Sequence, residues 1–573
     1  MNRNNEAHFN QIPSVHISRS TFKRDQKILT TFNAGELVPF YVDEVLPGDT
    51  FRVRTSAIIR MQTPKFPVMD DAYIDMYYFF VPNRIVWDDF KRFMGEADEE
   101  AWEPKGNYLV PKITLGNNGV TGDIEKLPAK DTILDYMGIP TEIINDKQKS
   151  MGINALPVRG YVKIWNEFFR DQNIDNAATL TRGSEITKYP TKKADYATIE
   201  GKLKYAQAGA GCLPVNKFHD YFTSCLPYPQ RGPDVTLPLS GNAAVNLFRD
   251  QQLTEKRTTG NGAEIYLNST ETANNTSVPF MSNWPTNANP AHPVLVNGSP
   301  SATDFSDYTI GFLGADLSSI NATTINELRD AIAVQHYYEA MARGGSRYRE
   351  QVRSIFGTVI SDKTVQVPEY LGGGRYRINI NQIVQAAGKS GTDGTPLGET
   401  GAMSVTPINE ASFTKSFEEH GFVIGVMCVR HDRTYQQGLE RFWSRSDRLD
   451  YYVPQFANIG EQPVKKKEIF LTATKTDEET FGYQEAWADY RMKPNRVSGE
   501  MRSTYAQSLD SWHYADEYAE VPTLSQEWLK EGKAEIDRTL IVNSQDQFFG
   551  GILVQNATTR PMPLYSVPGL ERI

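Results

Sequence analysis

Residues 50–61 show the clearest alternation of apolar and polar side chains in the chain. The two sets of alternate positions are Phe51, Val53, Ala57, Ile59 and Met61 on one side and Arg52, Arg54, Ser56 and Arg60 on the other. A period of two residues is that of a β-strand with one buried and one exposed face. The segment is therefore predicted to be a half-buried strand with a cationic outer face.

Two neighbouring segments extend this strand-rich beginning. The turn sequence at 47–49 leads back to a predicted strand at 37–46. Residues 72–81 form another predicted strand, whose side chains are mostly apolar on both faces. A strand that is apolar on both faces lies inside a sandwich or an assembly.

Further strand signals appear only near the end of the chain, at 422–429, 468–471, 539–542, 548–554 and 561–567. A single core therefore requires the early strands to pair with the late ones. Such non-local antiparallel pairing is typical of a Greek-key or jelly-roll barrel. The alternating strand–helix rhythm of a doubly wound enzyme is not seen.

Helical spacing interrupts the strands at three places, 85–95, 157–172 and 324–343. Pro157 suits the first turn of the second helix. The third has a capping box, Thr324 with Glu327, and is predicted to end at Gly344-Gly345.

The stretch 241–323 differs from its surroundings, because it is rich in Asn, Thr, Ser and Pro and poor in charge. Its only convincing strand signal is at 264–267, and a loop of this length is usually functional or disordered. A second Gly/Ser/Thr-rich stretch, 386–406, is predicted to be a flexible loop. The predicted organisation is a basic extended arm at 1–35, the first strands with helical insertions at 36–240, a variable insertion at 241–323, and the remaining loops and strands at 324–573.

The amino-acid composition excludes some classes of protein. The chain has 573 residues, a formal net charge of −10, and 28 Tyr, 28 Phe and 8 Trp. A negative net charge argues against a protein that binds nucleic acid over its whole surface. A large number of aromatic residues favours strands and wide contact surfaces. The three cysteines, Cys212, Cys225 and Cys428, give no disulfide framework. Because neither a signal peptide nor a transmembrane run is visible, we expect a soluble protein made in a cytoplasm.

Catalytic and metal-binding patterns are weak. Cys225 follows His219 closely, but a nucleophile needs spatial contact and an orienting group, and a buried structural thiol is the commoner situation. Candidate metal ligands without HExxH or CxxC spacing are His431-Asp432 and His513 with Asp516-Glu517. A carboxylate-bound divalent cation stays open, since such a site needs no linear motif. We predict neither an enzyme nor a cofactor.

The two glycine-rich triplets also lack the chemistry of a phosphate loop. Gly344-Gly345-Ser346 is interpreted as the end of a helix, and Gly372-Gly373-Gly374 as a turn. Neither is followed by the Lys-Ser/Thr pair that a phosphate-binding loop requires.

Basic residues give the remaining chemical signal. The candidate phosphate-binding side chains lie in the arm and on the predicted strand at 50–61, and are Arg3, Arg19, Lys23, Arg24, Lys27, Arg52, Arg54 and Arg60. Cationic side chains bind phosphates by displacing condensed counterions. The alternatives are a frayed terminus for the arm, and salt bridges between subunits or a solvated surface for the strand.

Several long blocks resemble the major capsid protein of gokushovirus-type microviruses, which are small icosahedral single-stranded DNA bacteriophages. In family order they are 32–51 (FNAGELVPFYVDEVLPGDTF), 69–82, 156–173, 220–233 (DYFTSCLPYPQRGP), 342–348 (ARGGSRY) and 367–373 (VPEYLGG). They span most of the chain, so the resemblance is far more specific than any short motif.

The resemblance implies a mainly β fold, namely a single eight-stranded antiparallel jelly-roll barrel whose long inter-strand insertions contain several helices. It implies a T=1 icosahedral shell of sixty copies that encloses a circular single-stranded DNA genome and assembles in the bacterial host cytoplasm. The implied partners are other copies of the chain, the genome, a small basic internal DNA-binding protein, a minor spike or pilot protein, and a host-surface receptor.

In this family a variable insertion forms a protrusion at the threefold axes, and residues 241–323 occupy its position here. The receptor-binding candidates within it are Tyr266, Asn268, Asn275 and Trp284. Two other classes of function are weighed against a coat protein. A jelly-roll receptor-binding or spike module would form a small ring rather than a shell, and a β-scaffold glycosidase would need a carboxylate pair that the sequence does not nominate.

Overall fold

The computed structural model describes residues 17–96, 108–115, 127–143, 151–236, 244–252, 309–316, 324–386, 398 and 400–565. The chain divides into two compact units. The main unit comprises Met1–Arg231 and Glu339–Ile573, and the insertion unit comprises Gly232–Tyr338.

The described residues form strands that are numbered here in chain order. They are β1 (Ser20–Lys23), β2 (Gln26–Phe32), β3 (Val38–Val45), β4 (Thr50–Met61), β5 (Ala72–Pro82), β6 (Lys112–Leu115), β7 (Met151–Asn154), β8 (Thr187–Lys188), β9 (Ala244–Gln252), β10 (Thr309–Asp316), β11 (Glu369–Arg377), β12 (Ile380–Val384), β13 (Thr400–Ser404), β14 (Thr406–Ser416), β15 (Gly421–His431), β16 (Thr434–Tyr435), β17 (Glu461–Lys465), β18 (Thr480–Glu485), β19 (Asn495–Arg496) and β20 (Phe548–Arg560).

The α-helices within the same residues are mostly short. They are α1 (Asn83–Val86), α2 (Phe90–Phe93), α3 (Ile133–Tyr136), α4 (Leu156–Ile164), α5 (Ile199–Tyr205), α6 (Ile325–Gly344), α7 (Tyr348–Phe356), α8 (Asp362–Val365), α9 (Lys466–Ile469), α10 (Gln526–Leu529) and α11 (Ala534–Thr539). No helix among the described residues is long and apolar enough to cross a membrane.

A five-stranded antiparallel sheet joins the two ends of the chain. Its order is β1-β20-β4-β14, and β2 also pairs with β20, beside a different part of that strand. The alternation in β4 is confirmed, since Phe51, Val53 and Ile59 are buried while the arginines between them are exposed. The described part of the predicted N-terminal arm is therefore two paired strands rather than a free segment, and residues 1–16 lie outside the described residues.

A four-stranded antiparallel sheet packs against the inner face of the first. Its order is β11-β5-β15-β3, and side chains from both sheets form one shared core. The other face of β5 and β15 contacts a second core built around α4. This explains why 72–81 and 422–429 are apolar on both faces, because the sheet lies between two cores.

Helix α4 lies close to the four-stranded sheet. A Cβ added at Gly160 would come within 2.9 Å of Ile424 Cδ1, so glycine permits this approach. The Tyr161 hydroxyl donates to the Leu37 carbonyl at 2.6 Å, and Trp165 Nε1 donates to the Pro214 carbonyl at 2.7 Å. The predicted helix at 157–172 is thus present, but its last turn, Trp165–Phe169, is a π-helix.

Four predicted elements differ from the structure. The helix at 85–95 is divided into α1 and α2. The predicted strand at 468–471 begins within the helical turn α9, and the one at 539–542 begins at the last residue of α11 and forms no strand. Of the predicted strand at 561–567, residues 561–565 are not strand and 566–567 lie outside the described residues.

Two loop predictions were also wrong. The glycine triplet 372–374 lies inside β11 rather than in a turn, and β13 occupies the end of the predicted loop 386–406. By contrast, the capping box of α6 is confirmed, since Glu327 N donates to Thr324 Oγ1 at 3.2 Å and Thr324 N donates to Glu327 Oε2 at 2.8 Å.

The insertion unit contains an antiparallel hairpin of β9 and β10. Ala244 pairs with Asp316 at one end of the hairpin and Gln252 pairs with Thr309 at the other. Residues 253–308 connect the two strands and lie outside the described residues, as does the predicted strand at 264–267.

Candidate nucleic-acid interface

The outward face of the five-stranded sheet carries most of the cations predicted from the sequence. Because side chains alternate along β4, Arg52, Arg54 and Arg60 point away from the shared core, and all three are exposed. Lys23 on β1 and Lys27 on β2 are exposed as well. Five of the eight candidates thus belong to one sheet.

Strand register brings these cations together on the same face. Arg52 pairs with Ala557 of β20, and Ala557 pairs with Lys23, so the three side chains form one row across the sheet. Adjacent strands lie about 4.8 Å apart, which separates the Cα atoms of Arg52 and Lys23 by about 10 Å. Arg54 follows two residues along β4 on the same face.

None of these five cations has an ion pair with a carboxylate among the described residues. Arg24 is different, because its guanidinium contacts Asp43 through two hydrogen bonds of 2.6 Å. Asp43 is largely buried and also accepts hydrogen bonds from Tyr41 and Asn556. Arg24 is therefore part of a packed network, and its charge is compensated within the subunit.

Two candidates from the arm, Arg19 and Arg3, remain to be placed. Arg19 is exposed and lies beside the turn at Gly48, where an added Cβ would be 3.1 Å from its guanidinium. Arg3 lies outside the described residues. The pairing of Arg24 with Asp43 could not be seen in the sequence, because nothing in the order of residues shows that they face each other.

Apolar side chains lie among the cations, a feature that sequence reasoning missed. Leu29 and Ile58 flank Gly551 of β20 and are 75 % and 54 % exposed. With Arg60 and Tyr136 they line part of a groove of about 860 Å³, which also includes Phe40 and Val42 of the facing sheet and therefore extends around the edge strand β2. The sequence signal was Ile58, which occupies an otherwise polar position in the alternation of β4.

Cys225 and His219, which the sequence places close together, lie in different environments. The Cys225 thiol is buried and donates to the Tyr221 carbonyl at 3.4 Å, and burial raises its pKa above the ordinary value. His219 is exposed, whereas Asp220 accepts hydrogen bonds from its own turn and from Tyr435. Within the described parts of the chain, no three His, Cys, Asp or Glu side chains converge as a metal site would require.

A buried charge network occupies the place of the other metal candidates. Arg433 is 1 % exposed and contacts Asp516 at 2.6 Å and Glu531 through its other terminal nitrogen. His431 Nδ1 lies 2.6 Å from Glu531 Oε1, and Lys217 Nζ lies 3.4 Å from Asp516 Oδ2. These residues belong to separate segments, so the network ties together distant parts of the main unit.

The network has a definite charge state. Burial alone would raise the pKa of Asp516, but Arg433 and Lys217 lower it below its usual range. The same balance, with Arg433 and His431 as the compensating groups, lowers the pKa of Glu531. Both carboxylates are ionised at neutral pH and face the cations Arg433 and Lys217.

The four receptor-binding candidates, Tyr266, Asn268, Asn275 and Trp284, all lie outside the described residues. They belong to the segment 253–308, whose two ends are joined to the paired strands β9 and β10.

Comparison with known proteins gives a consistent result. A family model described as "Capsid protein (F protein)" matches residues 10–570. Three curated relatives named "Capsid protein VP1" come from Chlamydia phage 1, Bdellovibrio phage phiMH2K and Spiroplasma virus 4. The chain is 36 %, 37 % and 37 % identical to them, and each match covers 99 % of this chain and 98 % of the relative. The resemblance stated from the sequence is confirmed.

Proposed function

Since this chain belongs to the phage capsid protein (F protein) family, we propose that sixty copies of it close into a T=1 icosahedral shell around a circular single-stranded DNA genome. The chain is a structural capsid protein and not an enzyme. The full-length match to three capsid proteins carries this conclusion, and the sandwich of two sheets is a scaffold suited to it.

The connectivity of the two sheets supports a jelly roll. Taking β1 and β2 as one strand, the eight long strands of the sandwich are, in chain order, β1/β2, β3, β4, β5, β11, β14, β15 and β20. The first pairs with the eighth, the second with the seventh, the third with the sixth and the fourth with the fifth. A long hairpin folded over on itself gives this order. No hydrogen-bonded ladder among the described residues closes the sheets into a barrel.

The mass of the particle tests the copy number. Sixty chains of 64.6 kDa give a shell of about 3.9 MDa before any partner is added. We expect genome-free particles, measured by native mass spectrometry, to have this mass plus that of their partners. A complex of a few chains would support the receptor-binding module instead.

We place the genome against the outward face of the five-stranded sheet. Its five cations lack carboxylate partners among the described residues, although the chain as a whole carries a charge of −10. Unpaired cations release counterions when they bind phosphates, which favours contact with DNA. Because five such residues per subunit are few, a small basic internal protein is proposed to neutralise part of the remaining charge.

Reversing four of these charges, with Lys23, Lys27, Arg52 and Arg54 changed to Glu, is expected to lower the DNA content of purified particles severalfold. The reason is that each lost phosphate contact removes one released counterion. The ratio of absorbance at 260 and 280 nm, together with the buoyant density of particles, measures the effect.

The matched control changes Lys112, Lys188, Lys192 and Lys204 to Glu, which gives the same change in net charge at exposed positions away from this face and from the 442–492 region. Particles of the control are expected to keep their normal DNA content. Equal DNA content in both variants would mean that the face is merely solvated.

We also propose that the insertion unit forms the protrusion at the threefold axes and meets the host receptor. The hairpin of β9 and β10 supports this, because both ends of the connecting segment 253–308 leave from one place. The unit is compact by itself, as expected for a separable projection. A minor spike or pilot protein stays a further proposed partner.

A further inference from the structure

A second surface of the main unit is rich in exposed aromatic side chains. We call it the 442–492 surface, and each of its members is between 37 % and 67 % exposed. They are Phe442, Trp443, Leu449, Tyr451, Tyr452, Phe456, Ile459, Tyr490 and Met492. Single exposed apolar residues are normal, but a contiguous group marks an interaction site.

Ring contacts and a shared cavity connect members of this group. Phe442 contacts Trp443 with ring centroids 4.7 Å apart, and Tyr452 contacts Tyr490 at 6.1 Å. The Arg445 guanidinium lies 4.3 Å from the Tyr490 ring and 5.6 Å from the ring of Tyr451. These contacts form two groups of rings, and Phe442, Arg445, Tyr490 and Met492 line one cavity of about 290 Å³ that connects the two groups.

The backbone of this surface is fixed in place. Residues 441–459 contain three short 3₁₀ turns, Arg441–Ser444, Arg448–Asp450 and Pro454–Phe456. Trp487 Nε1 donates to the Phe456 carbonyl at 2.8 Å, which links the last turn to the segment that carries Tyr490. A pre-organised aromatic surface loses little conformational entropy when it binds a partner.

The local composition is that of a protein–protein interface. Five of the nineteen residues 441–459 are aromatic and three are arginine, whereas none is lysine. Aromatic residues, Met and Arg are enriched in interface cores, and Lys is depleted. These side chains are not needed for the small core nearby, which consists of other residues such as Val464, Ile469 and Phe481.

Charge pairing argues against nucleic acid as the occupant. Arg445 contacts Asp489, and Arg491 contacts Glu485. Lys493 lies 3.1 Å and Arg496 lies 3.6 Å from Glu440. These cations have carboxylate partners within the subunit, although Lys493 and Arg496 share one, so they attract phosphates less than the cations on the outward face of β4. Arg448 is exposed and has no carboxylate partner among the described residues.

We infer that the 442–492 surface is a contact between neighbouring copies of this chain, an assignment that rests on the shell-forming function. Six aromatic side chains of about 200 Å² each, roughly half exposed, supply about 600 Å² of surface. A standard interface buries about 800 Å² per partner, so this surface is large enough to be most of one. Every subunit of a closed shell has such neighbours.

The test uses the absence of accessible native thiols. Cys212, Cys225 and Cys428 are at most 2 % exposed, so an introduced cysteine is the preferred target of N-ethylmaleimide. We expect Leu449→Cys to react in free subunits and to be protected at least tenfold in genome-free particles. Leu29→Cys, on the sheet face that we assign to DNA, is the control and should react in both.

A photo-reactive maleimide attached at Leu449→Cys before assembly identifies the neighbour. A cross-linked peptide from a second copy of this chain is expected, and a cross-link to DNA or to a different protein would overturn the inference. If Leu449→Cys prevents assembly while its free subunit unfolds like the unsubstituted chain and Leu29→Cys still assembles, the inference is supported. Particles in which Leu449→Cys reacts as fast as in free subunits contradict the inference alone, whereas absence of particles from the unsubstituted chain contradicts the shell-forming function.

Discussion

Replacing Arg433 with methionine is expected to lower the free energy of unfolding of the free subunit by about 3–5 kcal/mol. Arg433 lies between Asp516 and Glu531, and all three side chains are at most 1 % exposed. Without the guanidinium, two buried carboxylates lose the positive charge between them, and Asp516 loses one of its hydrogen-bond donors. Urea unfolding followed by tryptophan fluorescence measures the loss.

A pair nearer the surface provides the control. Lys163 and Glu167 form a 2.8 Å ion pair one turn apart and are about one-fifth exposed. Lys163→Met is expected to change the free energy of unfolding by less than about 1 kcal/mol. If Arg433→Met cost no more than this control, the network would not be holding its segments together.

The same network predicts the sign of the pH dependence. Because the folded state lowers the pKa of Asp516 and Glu531, their contribution is complete above the unfolded pKa of about 4. It is lost as the pH falls through the folded-state values. The subunit is therefore expected to lose stability upon acidification below about pH 4, and Arg433→Met should weaken this dependence.

Deleting residues 253–308 and joining β9 to β10 with a short Gly-containing turn is expected to leave particle assembly intact and to reduce host adsorption to background. Gln252 and Thr309 are paired, so their Cα atoms lie about 5 Å apart and a hairpin turn can close the gap. Counting particles by microscopy and adsorbed particles on host cells measures both outcomes.

A second variant distinguishes the effect of losing the length of the segment from the effect of losing its receptor-binding side chains. Replacing the 56 residues 253–308 by a Gly/Ser linker of equal length keeps a projection but removes Tyr266, Trp284 and the other candidates. It is expected to assemble and to fail in adsorption. Loss of particles in both variants would show that the segment is part of the shell, and normal adsorption would exclude it as the attachment site.

The strands that could be predicted from the sequence are those with one unbroken pattern. The burial of β4 alternates along its whole length, with Ile58 the one apolar side chain on the exposed face, and residues 422–429 of β15 are apolar because both faces of that strand are covered. β14 was missed because a register shift between Ile408 and Ala411 breaks its alternation. β11 was missed because its glycines, typical of a turn, here allow close contact with β5, where an added Cβ at Gly373 would collide with the Met76 carbonyl.

The sequence predicted that the candidate interface is cationic, but it did not predict which of the basic residues share one face. Alternation alone placed Arg52, Arg54 and Arg60 on one face, and the structure adds Lys23 and Lys27 through strand register. Arg24 was grouped with them because its pairing with Asp43 depends on tertiary structure. Similarly, 468–471 resembles a strand, but Glu468 accepts from the Lys465 N–H at 3.0 Å and stabilises a helical turn instead.

Cryo-electron microscopy of particles made by this chain with its phage partners tests the central claim most directly. We predict closed icosahedral shells of sixty copies, with the two-sheet sandwich in the wall, the five-stranded face toward the genome, the 442–492 surface between subunits and residues 253–308 at the threefold axes. Only monomers or trimers, with all partners present, would contradict the shell-forming function.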